Sequence, residues 1–194
     1  HSNELPWRES IADLVTIHED ADGRIDLEQL ADGLRAHAGR PLKIGSFSAA
    51  SNVTGIKTDT RGISTLLHEH GARAFWDSGA AAPYVDLDVA PDRPADDGDA
   101  STAHLDYKDA LFISPHKFIG GPGTPGILVV RRALLTNSVP AVPGGGTVAY
   151  VNADEHVYLD DLEHREEGGT PAIIESIRAG LVFQLKDAVG AETI

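Results

Sequence analysis

The sequence predicts an α/β fold, a mostly parallel sheet flanked by helices with one antiparallel strand. Short apolar runs alternate with stretches of helical periodicity, which gives two strand–helix–strand passages. Such passages favour parallel pairing, because parallel strands need a crossover that is usually helical. The last apolar run, residues 127–130, instead follows a Gly/Pro connection without helical pattern. We therefore expect it to lie antiparallel to its predecessor.

The first part of the chain supplies three of these elements. Residues 11–17 are apolar with one acidic break and fit either a strand or a short helix. Asp20–Gly23 is a predicted turn. Apolar side chains then recur at helical spacing, at Leu27, Leu30, Ala31 and Leu34. Residues 42–49 follow Pro41 and are predicted to form a strand with small residues at its end.

The middle of the chain continues the alternation. Residues 63–70 fit a helix that stops at Gly71, and residues 72–76 fit a strand that ends at Asp77. The acidic stretch 92–106 is a predicted solvated loop, and residues 110–114 form the next strand.

A final helix is predicted to open at Pro171, with Thr170 as its N-cap. Its apolar stripe consists of Ile173, Ile174, Ile177, Leu181 and Leu185. Free N–H groups at the start of this helix would suit a phosphate.

Composition and charge exclude several classes of function. The chain of 194 residues is 41% hydrophobic and 24% charged, as expected for one packed domain. Its net charge of −14 argues against nucleic acid or an anionic membrane as a partner. The chain has no cysteine and therefore no thiol chemistry, and no apolar stretch long enough to span a bilayer. A cytoplasmic protein is the expectation.

The most informative segment follows the strand 110–113, where Ser114, His116 and Lys117 precede a block of glycine and proline. Ligands of α/β sheets gather beyond the carboxyl ends of strands. A lysine that is partly shielded from water there can condense with an aldehyde, and Ser114 and His116 could hold an anion. The alternative is a surface lysine on a strand-exit loop.

Two other polar residues, Asn52 and Asp77, also fall just past predicted strand ends. An Asn amide offers both a donor and an acceptor to a substrate, but Asn is equally a common turn residue. Asp77 either serves a site or caps a helix, and spacing alone favours neither.

The segment Ser114-Pro-His-Lys117, with Gly-Gly-Pro-Gly close behind it, resembles the lysine motif of the class V pyridoxal-phosphate (PLP) enzymes. This aminotransferase family includes cysteine desulfurases and selenocysteine lyases. The resemblance implies that Lys117 forms an internal aldimine, a Schiff base with PLP. It also implies that Ser114 and His116 lie near the phosphate of the cofactor.

Two further motifs resemble the same family. Asp77 follows His70-Gly-Ala72, similar to the turn before the family aspartate that keeps the pyridine nitrogen protonated. Ser51-Asn52-Val-Thr-Gly55 is similar to the segment whose Asn lies near the ring and the substrate carboxylate. One position departs from the pattern, because Ala80 stands where desulfurases have a glutamine that bonds the ring hydroxyl.

The end of the chain resembles the family at its dimer interface. Arg165-Glu-Glu-Gly-Gly-Thr-Pro171 is similar to a family motif whose Gly and Thr, here Gly169 and Thr170, reach the phosphate of the partner subunit. Gly144 opens a glycine run similar to one at the same composite site. The resemblance thus implies a homodimer whose sites are built from both chains.

The resemblance extends over residues 1–194. His1-Ser-Asn-Glu-Leu-Pro-Trp7 resembles a family segment that begins with two histidines, and His1 corresponds to the second of them. In the family the first of the pair stacks on the cofactor ring, so the resemblance does not assign stacking to His1. The implied architecture is the central portion of the PLP-binding large domain, of the aspartate aminotransferase-like fold type I. The N-terminal segment and the C-terminal small domain are expected to be absent.

Two functions remain open at this point. One is a PLP-dependent enzyme acting on an amino acid, an aminotransferase or a cysteine desulfurase-like lyase, that is inactive as this fragment alone. The other is a non-catalytic scaffold that retains the fold and dimer surface. No metal is expected: the acidic turn at residues 20–26 lacks the closing glutamate of a calcium loop. His68 and His70 lack zinc spacing and are predicted to form an exposed helix end.

Overall fold

The computed structural model describes residues 2–90 and 105–194, so the predicted acidic loop falls almost entirely outside them, as does His1. A four-stranded sheet with the order β1-β2-β3-β4 forms the centre of the fold. Its strands are Ile44–Ser48 (β1), Arg73–Asp77 (β2), Ala110–Ile113 (β3) and Ile127–Val130 (β4). β1, β2 and β3 are parallel, and β4 is antiparallel to β3. The predicted mostly parallel sheet with one antiparallel strand is confirmed.

The described ranges also contain five α-helices. They are Leu5–Arg8 (α1), Leu27–Ala36 (α2), Thr60–Glu69 (α3), Leu162–Glu166 (α4) and Ile173–Val189 (α5). Two short 3₁₀ turns, Pro115–Lys117 and Arg132–Leu134, follow β3 and β4. A separate hairpin pairs Val148–Val151 (β5) with His156–Tyr158 (β6).

Capping residues mark the limits of α2 and α3. The Asp26 side chain accepts from the backbone N–H of Gln29 at the start of α2, and Asp59 accepts from that of Gly62 at the start of α3. Gly71 follows α3 with φ of +66°, a conformation that glycine adopts at low cost. The predicted helix and its glycine stop are therefore confirmed, with a start three residues earlier.

The core lies between the sheet and the helices. α2, α3, β2, β3 and α5 each contribute buried side chains to it, among them Leu30, Leu34, Ile63, Leu67, Trp76, Leu111, Ile113 and Val182. The Trp76 indole N–H donates to Ser64 Oγ at 2.9 Å, so the largest core residue is also satisfied as a donor. A Cβ on Gly45 would lie 2.5 Å from Leu67, which shows how closely β1 and α3 approach.

Two predictions near the ends of the chain are wrong. Residues 11–17 form neither strand nor helix, and Ile11 and Val15 are exposed. α5 begins at Ile173 rather than Pro171, and Thr170 caps nothing, because Ala172 is the N-cap position. Gly169 has φ of +90° and donates its N–H to the carbonyl of Gly145, which holds the chain in a turn through residue 170.

The apolar stripe of α5 faces away from the sheet. All five of its residues, Ile173, Ile174, Ile177, Leu181 and Leu185, are between 44% and 71% exposed. The opposite face packs instead, through Ala179, Val182 and Lys186. The stripe is thus available for contacts outside the described part of the chain.

His68 is not part of an exposed helix end, contrary to prediction. Its ring is 4% exposed, with Nε2 2.7 Å from Asp109 Oδ2 and Nδ1 2.5 Å from the Leu105 carbonyl oxygen. Asp109, fully buried before β3, also accepts the N–H of Ala74 at 2.9 Å. The network ties α3 to the β2–β3 pair.

Candidate active site

A short turn after β3 presents Lys117. Pro115 and Phe118 are buried, whereas His116 and Lys117 between them are exposed. The Lys117 N–H donates to the Ser114 carbonyl and the Phe118 N–H to the Pro115 carbonyl, both at 3.0 Å. Phe118 packs against Phe183 of α5, with ring centroids 4.8 Å apart. Two buried anchors therefore hold the backbone of the two exposed functional side chains.

Asp77 is placed by strand pairing. It ends β2 opposite Ser48 of β1 and Phe112 of β3, so it lies at the carboxyl edge of the parallel strands. Its Oδ1 accepts the N–H of Gly79 at 2.8 Å. No helix begins in residues 78–90, so Asp77 caps a turn rather than a helix. Among the described residues its Oδ2 has no hydrogen-bond partner, so this oxygen can accept a hydrogen bond.

Gly79 is the point at which three functional side chains meet. A Cβ built on Gly79 would lie 2.9 Å from Ser114 Oγ, 3.0 Å from Asp77 Oδ1 and 3.3 Å from Lys117 Nζ. Side chains from two different strand ends thus converge on the space above one glycine Cα. The hydroxyl, the carboxylate and the amine predicted from sequence are brought together by the fold.

Lys117 also borders a large cavity. The cavity has a volume of about 820 Å³, and its other walls come from residues 50–57 and 80–85. Asn52 and Ala80 both line it. A smaller, mainly apolar cavity of about 310 Å³ lies between Lys117, Phe118 and α5. Asn52 and Lys117 therefore face a shared space, as their positions past strand ends predict.

The loop that carries Asn52 is well defined by its own hydrogen bonds. Ser51 Oγ accepts the N–H groups of Val53 at 3.2 Å and Thr54 at 3.1 Å. The Ser51 N–H donates to the Ile56 carbonyl at 3.0 Å. Asn52 itself is exposed. The loop has the turn chemistry that the sequence indicates, and it directs Asn52 to the cavity wall.

The glycine motifs form a second cluster. Gly169 N–H donates to the Gly145 carbonyl at 2.8 Å, and a Cβ on Gly144 would meet Gly169 N at 3.9 Å. Gly144, Gly169 and Thr170 are all exposed. No contact within the described ranges joins this cluster to Lys117. The structure thus brings Gly144, Gly169 and Thr170 together, but apart from the lysine turn.

Two aspects of the site differ from expectation or were missed. Lys117 is exposed in this chain rather than shielded from water. The motifs in the sequence do not single out Gly79, although a glycine two residues after a strand-end aspartate indicates a close approach to the backbone. Within residues 2–90 and 105–194, no group of three His, Asp or Glu side chains is placed to hold a metal ion, and no helix is long and apolar enough to cross a bilayer.

The chain matches a known family and several known proteins in sequence over its full length. The profile of the family described as "Aminotransferase class-V" matches residues 1–194. A protein of Escherichia coli O7:K1 (strain IAI39 / ExPEC) named "Cysteine desulfurase" is 31% identical over 198 residues, covering 100% of this chain and 44% of that protein. A protein of the same name from Synechococcus elongatus is 27% identical, covering 100% of this chain and 28% of that protein. The chain therefore spans less than half the length of these relatives.

Solved structures share the fold. A cysteine desulfurase from Escherichia coli superimposes with a TM-score of 0.79 at 24% identity, over 100% of this chain and 44% of that one. One from Thermococcus onnurineus NA1 gives 0.76 at 23% identity, over 98% and 44%. An alanine–glyoxylate aminotransferase from Nostoc sp. gives 0.60 at 16% identity, over 94% and 43%.

Proposed function

This chain belongs to the class V aminotransferase family, and we propose that the complete protein is a PLP-dependent enzyme acting on an amino acid, with Lys117 carrying the cofactor. The family is PLP-dependent, and the predicted fold, a mostly parallel sheet flanked by helices like that of fold type I desulfurases and aminotransferases, is confirmed. The observation that supports the proposal best is the convergence of Lys117, Asp77 and Ser114 on Gly79.

The residues around Gly79 fit PLP by their chemistry. Three groups surround Gly79, which has no side chain. They are an amine that can attack an aldehyde, a carboxylate that can face a pyridinium and a hydroxyl that can bond phosphate. Asp77 Oδ2 is free among the described residues, and Ser114 and His116 flank the lysine. PLP, when bound, supplies an electron sink for the bonds at the substrate α-carbon.

The residues of this chain divide the remaining tasks. Lys117 Nζ would hold the cofactor covalently and would move a proton at the substrate α-carbon as base and acid. Asp77 would keep a proton on the pyridine nitrogen. Ser114 and His116 would orient the phosphate, and Asn52 would contact the substrate carboxylate from the cavity wall.

The reaction type is either transamination or a desulfurase-like elimination. The relatives named cysteine desulfurases favour the second, whereas Ala80 removes the glutamine that desulfurases place against the ring hydroxyl. We propose that residues 1–194 alone, the central portion of the large domain, do not turn over substrate. Lys117 is exposed and its cavity is open on this chain, so water would compete for the reacting groups.

We further propose a homodimer with composite sites. Gly144, Gly169 and Thr170 form an exposed cluster with no described contact to Lys117 of the same chain. A cluster of this kind can bind the cofactor phosphate in the site of a second subunit. The exposed apolar face of α5 supplies surface that association or further chain would cover.

An absorption spectrum of the complete protein with PLP, followed by borohydride reduction and peptide mass mapping, tests the cofactor assignment. We expect an absorption band of the covalent linkage and a pyridoxyl label confined to Lys117. Lys117→Ala should abolish both, whereas a non-catalytic scaffold would be indifferent to this change. Labels scattered over the five lysines, or no band, would refute Lys117 as the attachment site.

A further inference from the structure

A second lysine distinguishes the cavity beside Lys117. The chain has five lysines, and three of them donate to backbone carbonyls: Lys43 to Arg40, Lys108 to Asp88 and Lys186 to Val85. Lys57 and Lys117 have no hydrogen bond or ion pair with any described residue. These two are also the lysines that line the 820 Å³ cavity. Both uncompensated ammonium groups therefore face one space.

Among the described residues that line this cavity, none is acidic. These thirteen residues comprise aliphatic side chains, Gly55, Ser51, Thr54, Asn52, Pro83, Tyr84 and the two lysines. The chain as a whole carries 30 acidic residues and a net charge of −14. The described lining thus presents two cations and no carboxylate to the cavity, which attracts anions there rather than to the acidic surface around it. The Asp77 carboxylate, which converges with Lys117 on Gly79, does not line the cavity.

The backbone of Lys57 is fixed at the cavity rim. Lys57 pairs with Ala50 in an isolated antiparallel bridge. The next residue donates twice to the end of β1, from the Thr58 N–H to the Ala49 carbonyl at 2.9 Å and from Thr58 Oγ1 to the Ser48 carbonyl at 2.8 Å. Lys57 thus projects from the base of the Asn52 loop, at a backbone position held by these contacts.

We infer that Lys57 binds an acidic group on the side chain of the substrate and so selects amino acids that carry a second carboxylate or a similar anion. This inference rests on the proposed function of the site. Covalent attachment of the cofactor removes the free ammonium of Lys117, which leaves Lys57 as the cation available on the described cavity walls. Asn52, a neutral donor on the same loop, suffices for the carboxylate that every amino acid has.

Glutamate and glutamine form a matched pair of probes, since they differ only in the side-chain acid. Their binding to the complete protein is measured by calorimetry, with and without PLP. We expect Lys57→Gln to weaken glutamate binding about tenfold, as for loss of one exposed charge-assisted contact, and to change glutamine binding less than twofold. Lys57→Arg should restore most of the glutamate affinity. Lys43→Gln, which removes the same charge away from the cavity, is the control.

The outcomes separate the inference from the function on which it rests. Equal weakening of glutamate and glutamine by Lys57→Gln, or no weakening of either, overturns the acidic-substrate inference. Borohydride labelling of Lys117 in the same preparations reports on the cofactor site independently. Labelled Lys117 with an indifferent Lys57 retains the proposed function and rejects the inference. Unlabelled Lys117 with Lys57-dependent glutamate binding rejects Lys117 as the attachment site of the cofactor, and with it the assignment of glutamate as a substrate, while Lys57 remains a site for a side-chain acid.

Discussion

The carbonyl of Pro115 faces Gly121 so closely that a Cβ on Gly121 would lie 1.9 Å from its oxygen. The same carbonyl accepts the N–H of Phe118, and Gly121 N–H donates to the Phe118 carbonyl at 2.9 Å. The turn that presents Lys117 is therefore closed against a glycine. Only a residue without a side chain allows this closure, because both contacting groups are backbone.

Gly121→Ala should open the lysine turn. The added methyl overlaps backbone that cannot move without breaking the Phe118 hydrogen bond, so we expect a loss of about 1–3 kcal/mol in the free energy of unfolding. Labelling of Lys117 by PLP should fall as well. Urea denaturation and borohydride trapping measure the two effects. Gly126→Ala is the control, because its Cβ would meet Ile113 O at an ordinary 3.7 Å.

Gly79→Val tests whether the space above Gly79 is the cofactor site. Its Cβ alone would crowd Ser114 Oγ and Asp77 Oδ1, and the γ-carbons would fill the space toward Lys117. We expect PLP affinity to fall by at least tenfold with little change in the unfolding midpoint. Gly39→Val, at a site with nothing within 4 Å of its Cβ, should leave PLP binding unchanged. Wild-type affinity in Gly79→Val would place the cofactor elsewhere.

The buried Asp109 network should dominate stability near the sheet. Asp109 accepts the Ala74 N–H and lies 2.7 Å from His68 Nε2, with guanidinium groups of Arg73 and Arg131 at 3.7 and 3.6 Å from Oδ1. Asp109→Ala leaves these groups without their acceptor, so we expect a loss of about 3–5 kcal/mol in the free energy of unfolding.

The control for Asp109→Ala is Asp154→Ala, at an exposed position where a change within about 0.5 kcal/mol is expected. Denaturant melts of both variants provide the comparison. A loss below about 1 kcal/mol for Asp109→Ala would show that the network is not a major contribution to stability.

Local patterns predict the sheet well. β4 occupies the predicted residues 127–130, and β2 ends at Asp77 as expected, because apolar runs bounded by glycine, proline or charge mark strand limits. Strand ends in turn predict where Asp77 and Lys117 lie, since parallel strands bring their carboxyl ends to one edge.

Long-range contacts account for what the sequence does not reveal. The role of Gly79 depends on Ser114, 35 residues away, and that of His68 on Asp109, 41 residues away. Periodicity finds an apolar face on α5, but Ala179 and Val182 form a second one, and packing alone decides which is buried. The apolar residues 11–17 lack a neighbouring backbone partner and so form no strand.

Lys108 provides a test of stability against pH. Burial lowers its pKa from 10.5, the nearby Arg61 acts in the same direction, and Asp88 and Asp106 act against them. Between the lowered folded-state pKa and 10.5, the unfolded chain binds more protons at this residue than the folded chain does. Its contribution to the free energy of unfolding therefore rises with pH across that window.

We expect the stability of the wild type, relative to Lys108→Met, to increase as the pH is raised from neutral toward 10.5. Urea denaturation of both proteins at several pH values measures this difference, in which all other titrating groups cancel. Lys108→Arg is the matched comparison, because arginine stays charged throughout the window. The free energy of unfolding of the wild type relative to Lys108→Arg should therefore rise with pH at the same slope. A flat or falling difference against both variants would mean that Lys108 is not perturbed by burial, because neither replacement releases a proton in this range.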